Sequence, residues 1–316
     1  MLVKKDGFEF ICSLNQYELH QFILQSLTEY YDEKDIVSTD DYLYAKGSSV
    51  MFVAHLDTVH TKKATDFWYS SDCDKVMALN QGIGGDDRCG VYTLLYLIKY
   101  LDVKPTVIFP HEEERGCIGT KKFVEDVNKD FLSHVKFMVE IDRKGNEDAV
   151  FYRCDNKEFK DMILEKTGFV EKTGSSSDIA YLSPKFDLAA VNLSSGYYKP
   201  HNIEEYVSFK DLENVIKKCI ILHEYGNTDE CIRYDFQEQK PISYSDNDYS
   251  YCYSNGNYYM YGSKSKNVID ITESTCKVDV GTTQDIIDKI IKEYGSLNDK
   301  ELDKKFEDYK KKFIVK

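Results

Sequence analysis

The run Met51, Phe52, Val53, Ala54 constrains this chain more than any other four residues. An unbroken apolar stretch of strand length reads as a strand buried on both faces, as in a parallel sheet with helices on either side. Further short apolar segments follow: TVIF (106–109), VKFMVEI (135–141), AVFY (149–152) and LAAVNL (188–193). They alternate with helical patterns near 118–131, 157–167 and 209–224. The turn GIGGDDRCG feeds another helix, with Val91, Leu94, Leu95 and Ile98 on its buried face. Such alternation predicts an α/β fold, a three-layer α/β/α sandwich around a mostly parallel, mixed sheet. Ahead of it, Ser13-Leu14-Asn15-Gln16 resembles a capping box opening a first helix, and a strand pair is expected across 36–55.

Composition narrows the function. With 41 Lys plus Arg against 55 Asp plus Glu, the net charge is −14, which argues against a nucleic-acid partner. No stretch approaches the roughly 18 apolar residues of a membrane span. The opening MLVKKDGFEFICSL has no sustained apolar core of a signal peptide. Nine dispersed cysteines without a CxxC pair are expected as reduced thiols in a cytoplasmic protein. Composition shifts near 226, so a main domain is expected over 1–226. A tyrosine-rich linker or small β segment then covers 227–281, and a helical tail 282–316 offers a possible partner surface.

The central run ends on His55-Leu56-Asp57, and strand exits are where such sheets place their sites. Two residues apart on extended backbone, His55 and Asp57 project to the same side. They read either as a metal ligand with its ring fixed by a carboxylate or as a strand-end histidine beside a turn aspartate. Asp86 and Asp87 precede a helix, where one can serve as a cap. Glu112, Glu113 and Glu114 follow TVIF, as a solvated charge run or as carboxylates neutralised by a cation. Asp142 ends VKFMVEI and His201 follows LAAVNL. Histidines and carboxylates without thiolate suit zinc, manganese or cobalt in an open, catalytic type of site.

These motifs resemble the co-catalytic di-zinc exopeptidases: the zinc aminopeptidases, peptidase T and the aminoacylase-like carboxypeptidases. The carrying stretches are AHLDTV, GGDDRCG, EEERGCIG, EID and YYKPHNIEEYV, in family order over roughly 45–225. The resemblance implies the zinc-peptidase fold and two divalent ions, most simply Zn2+, with Mn2+ or Co2+ possible. It implies Asp86 bridging both, His55 and Asp142 on one, and Glu114 and His201 on the other. Glu113 would be the general base and Asp57 the partner of His55, with Asp87 as a helix cap. Family loops on the substrate side match SSSDIAYL and NLSSGYYKPH, making Ser177, Asp178, Ser194, Gly196 and Tyr198 expected substrate contacts. Only 58 residues separate Asp142 from His201, and 30 separate His55 from Asp86, leaving no room for the family's inserted domains. The expectation is therefore the compact, lid-less branch, an aminopeptidase on small peptides. The alternatives are a di-zinc deacylase, amidase or carboxypeptidase on an N-acyl amino acid, and a non-enzymatic binding protein on the same fold.

Overall fold

The computed structural model describes residues 2–236 together with strand backbones at 250–254, 257–261 and 269–270. The chain divides into two units, Met1–Gln239 and Lys240–Lys316. The first opens with α1 (Lys5–Cys12), α2 (Gln16–Tyr30), β1 (Ile36–Ser38), β2 (Tyr42–Ala45), β3 (Val50–Val53), β4 (Phe67–Tyr69) and β5 (Lys75–Ala78). It continues through α3 (Gly85–Tyr100), β6 (Thr106–Pro110), α4 (Ile118–Asp126), β7 (Phe137–Arg143), β8 (Asp148–Val150) and α5 (Lys157–Thr167). It closes with β9 (Val170–Lys172), α6 (Ile179–Phe186), β10 (Ala190–Ser194), β11 (Tyr197–Tyr198), β12 (Tyr206–Ser208) and α7 (Phe209–Gly226). The second unit contains β13 (Ser250–Ser254), β14 (Asn257–Tyr261) and β15 (Ile269–Asp270), an antiparallel sheet.

Eight strands form the central sheet in the order β1-β2-β6-β3-β7-β10-β8-β9. The middle four, β6, β3, β7 and β10, run parallel, so their C-terminal ends leave along one edge. Strands β2 and β8 flank them antiparallel. Because β3 lies between β6 and β7, its exit sits where successive connections diverge, the usual crevice of an open α/β sheet.

Alternation along β3 sorts its side chains into two cores. Val50 and Phe52 join Leu94, Leu97, Val215 and Leu222 of α3 and α7 on one face. Met51 and Val53 join Phe123, Leu182 and Phe186 of α4 and α6 on the other. All four strand residues are fully buried, which is why the sequence shows no polar interruption there. Truncating Phe52 to alanine would cost roughly 3–5 kcal/mol.

A second, antiparallel sheet, β11-β12-β5-β4, had no counterpart in the sequence reading, nor had α1 and α6. Its strands are two to four residues long, too short for a periodic signal. The first capping box forms at Asn15 with Glu18, two residues after Ser13, whose hydroxyl donates to the Phe10 carbonyl instead. The strand pair expected across 36–55 is three strands: β1 pairs with β2, while β3 enters the sheet centre. Residues 227–236 continue against the first unit, with Arg233 donating to the Val135 and Phe186 carbonyls. The tyrosine-rich stretch contributes β13 and β14, while the expected tail helices over 282–316 lie outside the described residues.

Candidate metal centre

His55 and Asp57 leave β3 together and are buried together, at 1% and 6% exposure. Asp57 Oδ1 lies 3.1 Å from His55 Nδ1 and accepts the Glu113 N–H at 2.9 Å, while Oδ2 accepts the Glu114 N–H at 3.1 Å. One carboxylate thus ties the exit of β3 to the exit of β6. Burial pushes the Asp57 carboxyl up, but the His55 bond and the two N–H donors outweigh it and hold it below the usual carboxylate range. Glu112, with φ of +56°, turns away and pairs with Arg115 at 2.9 Å, which leaves Glu113 and Glu114 facing inward.

Asp86 stands between the two histidines. Its Oδ1 is 3.2 Å from His55 Nε2 and its Oδ2 is 3.3 Å from His201 Nε2. Glu114 Oε1 is 2.9 Å from His201 Nε2, and Asp142 Oδ1 is 3.6 Å from His55 Nε2. All five residues therefore meet at one place, drawn from the exits of β3, β6 and β7, the start of α3 and the turn before β12. The Asp86–Asp87 peptide is cis, and Asp87 points elsewhere. Wholly buried, Asp87 accepts the Gly90 N–H at 2.9 Å and the His55 N–H at 3.2 Å, capping the body of α3.

This donor set fits divalent cations. With Asp57 accepting from Nδ1–H, the neutral His55 ring turns a lone pair at Nε2 towards the oxygens of Asp86 and Asp142. A lone pair facing carboxylates is repulsive unless a proton or a metal cation stands between them. Glu114 Oε1 is likewise buried without a hydrogen-bond partner, despite its closeness to His201 Nε2. Ligand atoms of His55, Asp86 and Glu114 fall within 4.8 Å of one another, as do those of His55, Glu113 and Asp142. Glu113 thus reaches the His55 end of the cluster as well.

The electrostatics agree. Burial lowers His55, but Asp142, Asp57 and Asp86 together pull it well above the ordinary imidazole value. The neighbouring carboxylates of Asp86 and Glu114 push His201 up to about 10. Burial followed by repulsion from Asp86 drives Asp142 well above the usual carboxylate range, and burial pushes Glu113 up to about 7. The cluster holds more anion than its imidazoles can balance, and positive charge stabilises it.

The expected substrate contacts have partners within the fold. Ser177 Oγ donates to Asp142 Oδ2 at 3.3 Å, and Asp178, fully buried, accepts from Thr120 Oγ1 at 2.6 Å. Ser194 Oγ donates to the Lys144 carbonyl at 2.9 Å. Gly196, at φ of +91°, passes so close to Leu212 that a Cβ would lie 2.7 Å from its backbone nitrogen. Tyr198 donates to Asp211 at 2.7 Å.

Three residues at the centre escaped the sequence reading. The Tyr197 hydroxyl donates to Asp142 Oδ1 at 3.3 Å. Asn192 brackets the Asp142 backbone, accepting its N–H at 2.9 Å and donating to its carbonyl at 3.1 Å. Glu205 accepts the Asp86 N–H at 3.1 Å. Glu205 and Tyr197 lie within or beside the quoted YYKPHNIEEYV stretch, so their nearness to His201 was the available signal.

Residues 39–182 match the model of Peptidase family M28. No curated protein sequence matches the chain. Among solved structures, aminopeptidase PepT from Bacillus cereus superposes with a TM-score of 0.56 at 11% identity, covering 72% of this chain and 100% of that one. A tripeptidase from Staphylococcus aureus gives 0.55 at 11% identity, covering 70% and 97%. An aminopeptidase from the archaeon Desulfurococcus kamchatkensis gives 0.50 at 14%, covering 68% and 93%. The segment that resembles Peptidase family M28 contributes His55, Asp86, Glu113, Glu114 and Asp142, and the chain shares its fold with these solved peptidases.

Proposed function

We propose that this chain is an aminopeptidase for small peptides that works with two divalent cations, zinc being the simplest choice. One observation carries the reading: the two oxygens of Asp86 face the two histidines separately, at 3.2 and 3.3 Å. A carboxylate so placed can serve two cations at once. His55 and Asp142 would complete one position, Glu114 and His201 the other. Bound there, the cations would supply Lewis acidity towards the scissile carbonyl and acidify the attacking water.

The chain's own residues would do the rest. Glu113, beside the cluster and pushed up to about 7 by burial, suits a group that takes a proton from water at Oε and returns it to the leaving amine. Asp57 would keep the His55 proton on Nδ1, so that Nε2 stays available. Three ligand carboxylates nearly balance two dications, which makes the charge tolerable at a buried sheet edge.

The short intervals between the site residues favour small, open-ended substrates. Between Asp142 and His201 the chain makes only β8, α5, β9, α6, β10 and β11 of the main unit, and between His55 and Asp86 only the β4–β5 hairpin. Neither interval holds a separate lid domain.

The test is hydrolysis of aminoacyl-nitroanilides and free-amine dipeptides beside N-acetyl amino acids. Activity on the free amines, abolished by a chelator and restored by zinc, manganese or cobalt, is expected. Cleavage indifferent to chelation would refute the metal-dependent reading, and cleavage confined to N-acetyl substrates would reassign the site to a deacylase.

A further inference from the structure

We infer that Glu205, held by His60, sets the spacing between Asp86 and His201, and with it the affinity of the metal position those two share with Glu114. The inference rests on the two-cation reading above.

Glu205 follows His201 by four residues, and its N–H closes a turn onto the Asn202 carbonyl at 3.0 Å. Its backbone therefore moves with His201. Its side chain is fully buried and reaches back under the Gly-rich turn ahead of α3. There Oε2 accepts the Gly84 N–H at 2.8 Å, and Oε1 accepts the Asp86 N–H at 3.1 Å. His60 Nε2 lies 3.1 Å from Oε2 and must carry the proton, because a carboxylate only accepts. Three donors from two distant segments thus converge on one side chain.

The glycines of the turn make room for this arrangement. A Cβ on Gly82 would lie 2.2 Å from His60 Nε2. One on Gly85 would lie 2.6 Å from the Tyr197 Cβ and 3.4 Å from Glu205 Oε1. The glycine at 82 is therefore explained by His60 of this clamp, and the one at 85 by Tyr197 and Val207, which flank it.

Both Glu205 oxygens are already engaged, Oε2 by the Gly84 N–H and His60 and Oε1 by the Asp86 N–H. Glu205 is a positioning residue. It fixes the Asp86 backbone relative to the turn that presents His201, whose half-exposed ring lies against Asp86 and Glu114. Substituting Gln at 205 would place an amide N–H against the Gly84 or Asp86 N–H, and the turn would shift to relieve the clash.

The experiment is metal titration of the full chain against a chromophoric chelator, with zinc or manganese as the probe. With the second equivalent defined as the one that His201→Ala removes, Glu205→Gln is expected to weaken it roughly 10- to 100-fold, in the range typical of lost supporting bonds, and the first equivalent much less. Excess metal should restore kcat while KM stays near the wild-type value, which a general loss of fold would not do. His60→Leu, a milder change, should weaken the second equivalent in the same direction. His60→Gln, whose amide can donate in the same place, should recover most of that loss. Wild-type affinity for both equivalents in a folded Glu205→Gln, or in His60→Leu should the first variant fail to fold, overturns the inference while leaving the two-cation reading intact. A wild-type chain that binds fewer than two equivalents overturns that reading and this inference with it.

Discussion

Replacing Asp57 by asparagine separates the two jobs of one side chain. The carboxylate accepts three bonds: His55 Nδ1 and the Glu113 N–H on Oδ1, at 3.1 and 2.9 Å, and the Glu114 N–H on Oδ2, at 3.1 Å. An amide has one acceptor and one donor end, so two orientations compete. With its oxygen in the Oδ1 place it keeps two bonds and sets its NH2 against the Glu114 N–H. Reversed, it keeps the Glu114 bond, loses the Glu113 bond and inverts the His55 one, its NH2 donating to Nδ1 and forcing the His55 proton onto Nε2. The first orientation wins, so His55 stays in its ligating form while the backbone of Glu114 is released. A buried donor left unpaired costs about 1–3 kcal/mol. In a domain of this size that corresponds to roughly 2–12 °C in Tm. Glu114 belongs to the His201 end of the cluster, so affinity should fall about 10- to 100-fold there and little at the His55 end. Metal titration of Asp57→Asn, with His55→Ala and His201→Ala to assign the two equivalents, reads this directly. Loss of the His55-side metal first would refute the reasoning, and so would unchanged affinity at both positions.

Glu113→Gln should keep both metals yet lose turnover by about 10²- to 10⁴-fold, the usual contribution of a general base; measured by metal content and kcat, a retained rate would move the proton transfer to another group. The metal-free chain should lose stability as pH rises from 6.5 to 8. His55 and His201 are raised in the folded state, so their contribution is fully present below 6.5 and is lost as pH climbs towards their folded values. Each extra proton held contributes a slope of about 1.4 kcal/mol per pH unit, and a metal-free Tm that is flat or rising over that interval would contradict it.

Much of the fold was legible because its signals are local. The β3 run and the helical patterns that became α5 and α7 each depend on a handful of neighbouring residues. Helix α5 falls on 157–167 as read, since Asn156 caps it and Gly168, at φ of +70°, ends it. The Glu112–Glu114 run shows where local signals stop. Three identical side chains carry no information about direction, and the direction follows from the +56° φ at Glu112 and from the two N–H groups that Asp57 captures.

By itself the sequence determined the layer order, the strand exits and the chemical type of every side chain that meets at the centre, because hydrophobic period and residue chemistry are written along the chain. The tertiary structure alone decided that Asp57 captures the N–H groups of both Glu113 and Glu114, and that Glu205 lies buried beneath the glycine turn. Each of those facts depends on which backbone N–H groups arrive from distant segments to satisfy a buried carboxylate, and no short stretch of sequence encodes that meeting.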